Sequence, residues 1–165
     1  MEAAAAELTA LAAEVLAALR ERGETLATAE SLTGGVVGAT ITAVPGASAS
    51  YRGGVISYAT DVKHQLLGVP DGLLAQRGAV DPDVATAMAE GVRSRLGATW
   101  GLAFTGVAGP QPQDGKPVGT VYVAVAGPRG TDVVSLLLSG EREVIRVASC
   151  REGLRALGAR LADGE

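Results

Sequence analysis

The apolar residues of this chain recur at two spacings, one typical of amphipathic helices and the other typical of strands. Over residues 3–21 they lie three or four positions apart, and the same spacing returns over 82–96 and 141–161. The second of these segments follows Asp81-Pro82, a capping residue and a proline suited to the first helical position. The pattern therefore predicts three long helices, each with one face in a core.

Two shorter helices are predicted in the first half of the chain. One follows the sequence TAESLTGG and ends before Pro45-Gly46, and the other spans Asp61 to Leu67. Thr60 is a good N-cap for the second helix, because its hydroxyl can accept from a free backbone N–H. We interpret residues 71–80 as a connection.

Short apolar runs bounded by glycine, proline or polar residues predict strands at 25–29, 55–58, 99–104, 119–126 and 131–138. A glycine- and proline-containing turn joins the last two strands, so we expect an antiparallel hairpin there. Helices alternate with the earlier strands, a pattern typical of a sheet with helices on both faces. We therefore predict an α/β fold with a mixed sheet, in a single domain over residues 1–165.

The sequence TAESLTGG places Ser31 at the hinge between a predicted strand and a predicted helix. The first turn of a helix has free N–H groups and the positive end of the dipole, which favour an anion. Two interpretations stay open. The hydroxyl is an N-cap followed by close helix–sheet packing, or Ser31 is a nucleophile whose oxyanion is held by N–H groups near Thr33, Gly34 and Gly35.

Three cations occupy helix starts, where positive charge is disfavoured. Lys63 is the third residue of its helix if Thr60 is the cap, and the dipole there lowers the pKa of an amine. Lys63 is thus a candidate general base, or else a lysine exposed to water. Arg142 and Arg146 lie four residues apart on one face, so they either belong to a solvated face or bind an anion between them.

The segment after the third strand, TGVAGP, is predicted to be a loop at the carboxyl end of that strand. Open α/β sheets bind ligands at this end, so Thr105, Gly106 and Gly109 are candidate binding residues. The sequence from Gly109 to Pro117 lacks the spacing of a P-loop and the Ser or Thr after its lysine. A nucleoside triphosphate site is therefore not indicated.

The composition excludes several classes of protein. The 165 residues are 47% hydrophobic but only 3% aromatic, so the core must consist of Ala, Val and Leu. A net charge of −4 without a basic block gives no indication of a nucleic-acid-binding surface. One cysteine and one histidine exclude an intramolecular disulfide and a zinc site built from these residues, and we expect no metal. The acidic start and the lack of a membrane-length apolar run predict a cytoplasmic protein without membrane contact.

His64 suggests a Ser-His-Asp arrangement with Ser31 and Asp61, but it is adjacent to Lys63. On a helix, neighbouring side chains project about 100° apart, so both cannot easily face one site. We predict that His64 lies at the surface or behind the site. Ser31 also lacks the G-x-S-x-G and S-x-x-K patterns of known serine hydrolases. Cys150 lies on the apolar stripe of the last helix and is predicted to be buried.

Taken together, several stretches resemble the C-terminal domain family of the competence/damage-inducible protein CinA, which includes stand-alone nicotinamide-nucleotide amidohydrolases. They are TAESLTGG at 28–35, GGVISYATDVK at 53–63, LLGV at 66–69, TGVAGP at 105–110, KPVGTV at 116–121 and GEREVIR at 140–146. The resemblance implies a three-layer α/β/α sandwich. It also implies hydrolysis of nicotinamide mononucleotide to nicotinate mononucleotide and ammonia, without a metal or organic cofactor.

By position, the resemblance implies a nucleophile at Ser31, assisted by Lys63 and Tyr58. Tyr58 could bridge the other two residues. Thr60-Asp61 stands where an asparagine-containing pair is common in the family. The family also implies a homodimer. The alternative is a non-catalytic module that senses a pyridine nucleotide with the same glycine loops and arginines, and the presence of all three catalytic candidates favours the enzyme.

Overall fold

The computed structural model describes residues 2–164 and contains a central sheet between two layers of helices. The helices are α1 (Glu2–Arg22), α2 (Val36–Thr42), α3 (Thr60–Leu67), α4 (Asp71–Arg77), α5 (Pro82–Arg95) and α6 (Arg142–Ala162). The strands are β1 (Leu26–Glu30), β2 (Tyr51–Ile56), β3 (Trp100–Gly106), β4 (Thr120–Gly127) and β5 (Gly130–Leu137). The predicted α/β sandwich with a mixed sheet is confirmed.

The sheet has the strand order β2-β1-β3-β4-β5. Strand β1 pairs in parallel with β2 and with β3, whereas β3 with β4 and β4 with β5 are antiparallel. The predicted hairpin of the last two strands is therefore confirmed. Because β1, β2 and β3 run in the same direction, their carboxyl ends meet at one edge of the sheet, where the candidate site residues lie.

The two faces of the sheet carry side chains of different size. The face toward α1, α2 and α6 carries Trp100, Leu102 and Phe104, whereas the opposite face carries mainly alanines. Small side chains let α5 lie very close to the strands on that opposite face. A Cβ atom at Gly101 would lie only 2.1 Å from the carbonyl oxygen of Ala89. The scarcity of aromatic residues thus permits the close packing of one helical layer.

Two of the predicted segments differ from the structure in their type or bounds. Residues 71–77 form the short helix α4 and not a connection, because tertiary contacts of the buried Leu74 stabilise a helix too short to form alone. Strand β2 begins at Tyr51, four residues before the predicted start, and ends at Ile56. Its glycines allow close pairing with β1, since a Cβ atom at Gly54 would lie 2.3 Å from the Thr28 hydroxyl oxygen.

Candidate active site

A serine and a lysine meet at the carboxyl edge of the parallel strands. Ser31 directly follows β1, and Lys63 reaches it from α3 with Nζ 2.9 Å from Ser31 Oγ. Lys63 is only 1% exposed, so the alternative of a lysine extending into water is wrong. Its Nζ also donates to the carbonyl oxygens of Ser57, at 2.7 Å, and Tyr58, at 3.1 Å. These two carbonyls follow β2, so two parallel strands and a helix build the pair.

Burial lowers the pKa of Lys63 to about 8, against an opposing effect of the Asp114 carboxylate. The predicted cause, the start of a helix, is not the main one. The N-cap of α3 is Ala59, without a side-chain cap, and not Thr60 as predicted. A neutral amine has two N–H groups and one lone pair. Since the two backbone carbonyls can only accept, the lone pair is left to accept the hydroxyl proton of Ser31.

The start of α2 is occupied by a side chain that the sequence interpretation missed. The buried carboxylate of Glu30 accepts from the N–H groups of Gly35, Val37 and Gly38 at 3.0–3.1 Å. The N-cap residue is Gly35, so the interpretation of a Ser or Thr cap is wrong. The sequence did contain a signal for this contact, because Glu30 is an acidic residue at the end of an otherwise uncharged strand. The helix start is therefore not free to bind a substrate anion.

Of the three predicted backbone donors near Ser31, only the N–H of Thr33 has no acceptor among the described residues. The N–H of Gly34 donates to the Ser31 carbonyl at 3.0 Å and that of Gly35 to Glu30, so these two predicted oxyanion donors are occupied. Within residues 2–164, the N–H groups of Leu32 and Thr33 have no acceptor, nor has the Thr33 hydroxyl a partner. Both residues are buried. A buried donor without a partner costs about 1–3 kcal/mol, which a ligand oxygen can offset.

Arg146 lies against this turn and away from the cavity lining. Its Nε donates to the Leu32 carbonyl at 3.0 Å, and Nη2 donates to the Thr33 carbonyl at 3.1 Å. Gly34 has a φ of +56°, and a Cβ atom there would lie 3.2 Å from Nη2. The predicted phosphate ligand thus binds backbone carbonyls, which account for its position near a helix start.

A cavity of about 520 Å³ opens beside Ser31. The candidates Thr105, Gly106 and Gly109 all line it, although the Thr105 hydroxyl donates to the Ala79 carbonyl at 2.7 Å and thereby holds the loop. Arg142 lines the cavity too, and it donates to the Gly109 carbonyl. Among the described residues that line the cavity, Arg142 is the one with a cationic side chain.

The backbone of Tyr58 contacts Lys63, whereas its side chain lies at the rim of the cavity. Its carbonyl accepts from Lys63, but its side chain is at the surface, where the phenol oxygen accepts from Arg142 Nη2 at 3.1 Å. The phenol therefore does not bridge Ser31 and Lys63 in this structure. It pairs with Arg142 at the mouth of the cavity.

His64 lies outside the site, as expected for a surface residue. Its Nδ1 is 2.8 Å from the Val69 carbonyl, and its Nε2 is 3.3 Å from the Asp71 carboxylate. Cys150 is fully buried, as predicted. In the part of the chain that the structure describes, no group of three or more His, Cys, Asp or Glu residues could hold a metal ion. No helix between residues 2 and 164 is long and apolar enough to cross a membrane.

Comparison with known sequences gives one consistent family. The family model described as "CinA C-terminal domain" matches residues 8–161. A CinA-like protein of Frankia casuarinae is 56% identical over 154 residues, which are 92% of this chain and 36% of the relative. A putative competence-damage inducible protein of a Geobacillus species is 46% identical over 145 residues, 87% of this chain and 35% of the relative. The chain thus spans about a third of the length of these curated relatives.

Solved structures agree with the sequence comparison. A CinA superfamily protein from Klebsiella pneumoniae has a TM-score of 0.92 and 32% identity, and the match covers 94% of this chain and 98% of that chain. A competence/damage inducible protein from Agrobacterium tumefaciens has a TM-score of 0.90 and 33% identity, with 94% and 96% of the two chains covered. The fold is therefore shared over almost the whole length of these structures.

Proposed function

The chain belongs to the CinA C-terminal domain family, and from this premise we propose that it is an amidohydrolase converting nicotinamide mononucleotide to nicotinate mononucleotide and ammonia. The observation that carries the proposal is the buried contact of Ser31 Oγ with Lys63 Nζ, at 2.9 Å. A lysine with a pKa of about 8 is neutral in roughly a tenth of the molecules at pH 7, and this neutral form can accept the serine proton. Leu32 lines the cavity together with Ser31, and the N–H groups of Leu32 and Thr33 have no acceptor among the described residues.

Acylation begins when Ser31 Oγ attacks the carboxamide carbon while Lys63 takes the hydroxyl proton. The new C–O bond pushes the carbonyl electron pair onto oxygen, and the N–H groups of Leu32 and Thr33 stabilise that oxyanion. When the tetrahedral intermediate collapses, the C–N bond breaks. The Lys63 ammonium donates its proton to the departing nitrogen, which leaves as ammonia.

Deacylation uses the same groups with water in place of the serine. Lys63, neutral again, takes a proton from a water molecule that attacks the ester carbon. The second oxyanion collapses, the ester C–O bond breaks, and Lys63 returns the proton to Ser31. One water molecule is consumed, and one ammonia and one carboxylic acid are formed. No metal or organic cofactor takes part in these steps.

Arg142 is the residue proposed to bind the substrate phosphate. It lines the cavity, and its guanidinium donates to the Tyr58 phenol oxygen and to the Gly109 carbonyl. A phosphate dianion is a stronger acceptor than either neutral oxygen, so it can replace them. We assign the phosphate to Arg142 and not to Arg146.

Product analysis with nicotinamide mononucleotide tests the proposal. We expect ammonia and nicotinate mononucleotide in equal amounts. The second candidate function, a non-catalytic pyridine-nucleotide-binding module, predicts heat of binding in a calorimeter without either product. The binding module needs only the cavity and Arg142. The buried Ser31–Lys63 contact has a use only in the enzyme, and it therefore favours the enzyme.

The setting of this activity is also part of the proposal. The substrate is a small nucleotide, and neither nucleic acid nor a membrane is needed as a partner. The cytoplasmic location is proposed from the sequence composition, and the homodimer is what the family resemblance implies. Light scattering on the purified chain measures its mass in solution and tests the dimer directly.

A further inference from the structure

Arg146 contacts the turn whose free N–H groups lie beside Ser31. We propose that Arg146 is a positioning residue of the oxyanion hole, acting through the peptide group between Leu32 and Thr33. The inference rests on the proposed serine mechanism and reassigns an arginine that the sequence pattern linked to the phosphate. It predicts that the two arginines of α6 have separable roles, one in chemistry and one in substrate binding.

The first argument is the geometry of a single peptide group. The Leu32 carbonyl and the Thr33 N–H belong to one planar trans unit, so they point to opposite sides. Arg146 Nε donates to the carbonyl at 3.0 Å. The Thr33 N–H therefore faces away from the guanidinium, and it stays without an acceptor among the described residues. A rotation of this peptide that moved the N–H would break the bond to Arg146.

The second argument is electronic. A guanidinium that donates to an amide oxygen favours the resonance form with positive charge on nitrogen, so the N–H of that amide becomes a stronger donor. Arg146 does this at two successive carbonyls, of Leu32 and Thr33. The next N–H, of Gly34, donates back to the Ser31 carbonyl at 3.0 Å and closes the turn. The cation therefore both orients and polarises the donor beside Ser31.

The third argument is the rest of the turn's environment. Glu30 holds the Gly35 N–H on one side, and Arg146 holds two carbonyls on the other, so opposite charges fix the two ends of the turn. Gly34 lets the guanidinium approach, since even a methyl group there would lie 3.2 Å from Nη2. Arg146 is also absent from the cavity lining, which includes Arg142. It is thus placed to act on the turn and not on a phosphate.

The kinetic test compares Arg146→Met on nicotinamide mononucleotide and on its unphosphorylated riboside. Direct removal of an oxyanion donor costs about 10²–10³-fold in kcat. Loss of an indirect support should cost roughly 10- to 100-fold, equally on both substrates, with KM nearly unchanged. Arg146→Lys keeps one charged donor and should recover part of the loss. Arg155→Met is the matched control, because Arg155 lies on the same helix but is half exposed and pairs with Glu7 and Glu152.

A second readout is independent of the natural substrate. A fluorophosphonate reacts with an activated serine as the Ser31 oxygen forms a bond to phosphorus, fluoride leaves, and Lys63 keeps the proton. Its phosphoryl oxygen needs the same donors, so Arg146→Met should slow labelling by a factor similar to its loss in kcat. If the native chain is labelled at Ser31 but does not hydrolyse the nucleotide, the substrate proposal fails and labelling alone tests Arg146.

Three results would overturn the inference. One is a loss confined to the nucleotide, which would make Arg146 a phosphate ligand. Another is an unchanged labelling rate in a folded Arg146→Met variant. The last is a native chain whose Ser31 is not labelled and which hydrolyses neither substrate, because no oxyanion would then exist to stabilise. Thermal unfolding monitored by circular dichroism shows which variants are folded, and only the rates of folded variants are compared with those of the native chain.

Discussion

Replacing Lys63 with methionine should change how the stability of the protein depends on pH. The pKa of Lys63 falls from 10.5 to about 8 in the folded chain, mainly because burial disfavours the ammonium form. Between these two values the unfolded chain binds the proton and the folded chain does not. The free energy of unfolding therefore rises with pH by about 1.4 kcal/mol per unit, or roughly 3 kcal/mol over the whole window. Below pH 8 this gain is absent, because both states are protonated.

Urea unfolding of the native chain and of Lys63→Met measures this effect. From about pH 8 to about pH 9.5, we expect the native chain to gain about 2 kcal/mol relative to the variant. The other lysine, Lys116, and the tyrosines are present in both chains, so their titration cancels in the difference. A difference between the two chains that stays constant over this range would refute the assignment of a depressed pKa. In the native chain, kcat/KM should fall about tenfold per unit below pH 8, because the amine must be neutral.

The remaining predictions concern activity. Lys63→Arg should be nearly as damaging as Lys63→Ala in the ammonia assay, because arginine keeps the charge but cannot deprotonate near neutral pH; substantial activity in the arginine variant would contradict the base assignment. Arg142→Ala should lower kcat/KM for the nucleotide by roughly 10- to 150-fold, from the 1.5–3 kcal/mol of a charged hydrogen bond, and leave the riboside nearly unchanged. An equal loss on both would remove Arg142 from phosphate binding. Ammonia release should survive treatment with EDTA, and loss of activity that added metal restores would contradict a metal-free mechanism.

Much of the fold follows from the spacing of apolar residues. Long helices such as α1 and α6 and the β4–β5 hairpin have patterns that repeat over many residues, and their predictions are confirmed. The short elements were less accessible, because their structure depends on tertiary contacts. Helix α4 is stabilised by burial of Leu74, and the early start of β2 depends on glycines that pack against β1. A local pattern does not contain either contact.

The site was predictable in its residue types but not in its hydrogen bonds. The predicted positions of Ser31 and Lys63 at helix starts made them candidates, and the fold brings their side chains together. The sequence could not reveal that the Glu30 carboxylate occupies the start of α2, since this contact depends on how β1 and α2 pack in the folded chain. The distinction between Arg142 and Arg146 was equally hidden. Their shared helix face predicted one role, whereas they contact different loops.

Ammonia release by Ser31→Ala tests the central claim most directly. Ser31 supplies the hydroxyl beside the buried amine, so its loss removes covalent catalysis and leaves the cavity and Arg142 in place. We predict that ammonia release from nicotinamide mononucleotide falls by several orders of magnitude, while calorimetric binding of the nucleotide stays nearly intact. Activity within about tenfold of the native chain would contradict a serine nucleophile at this position.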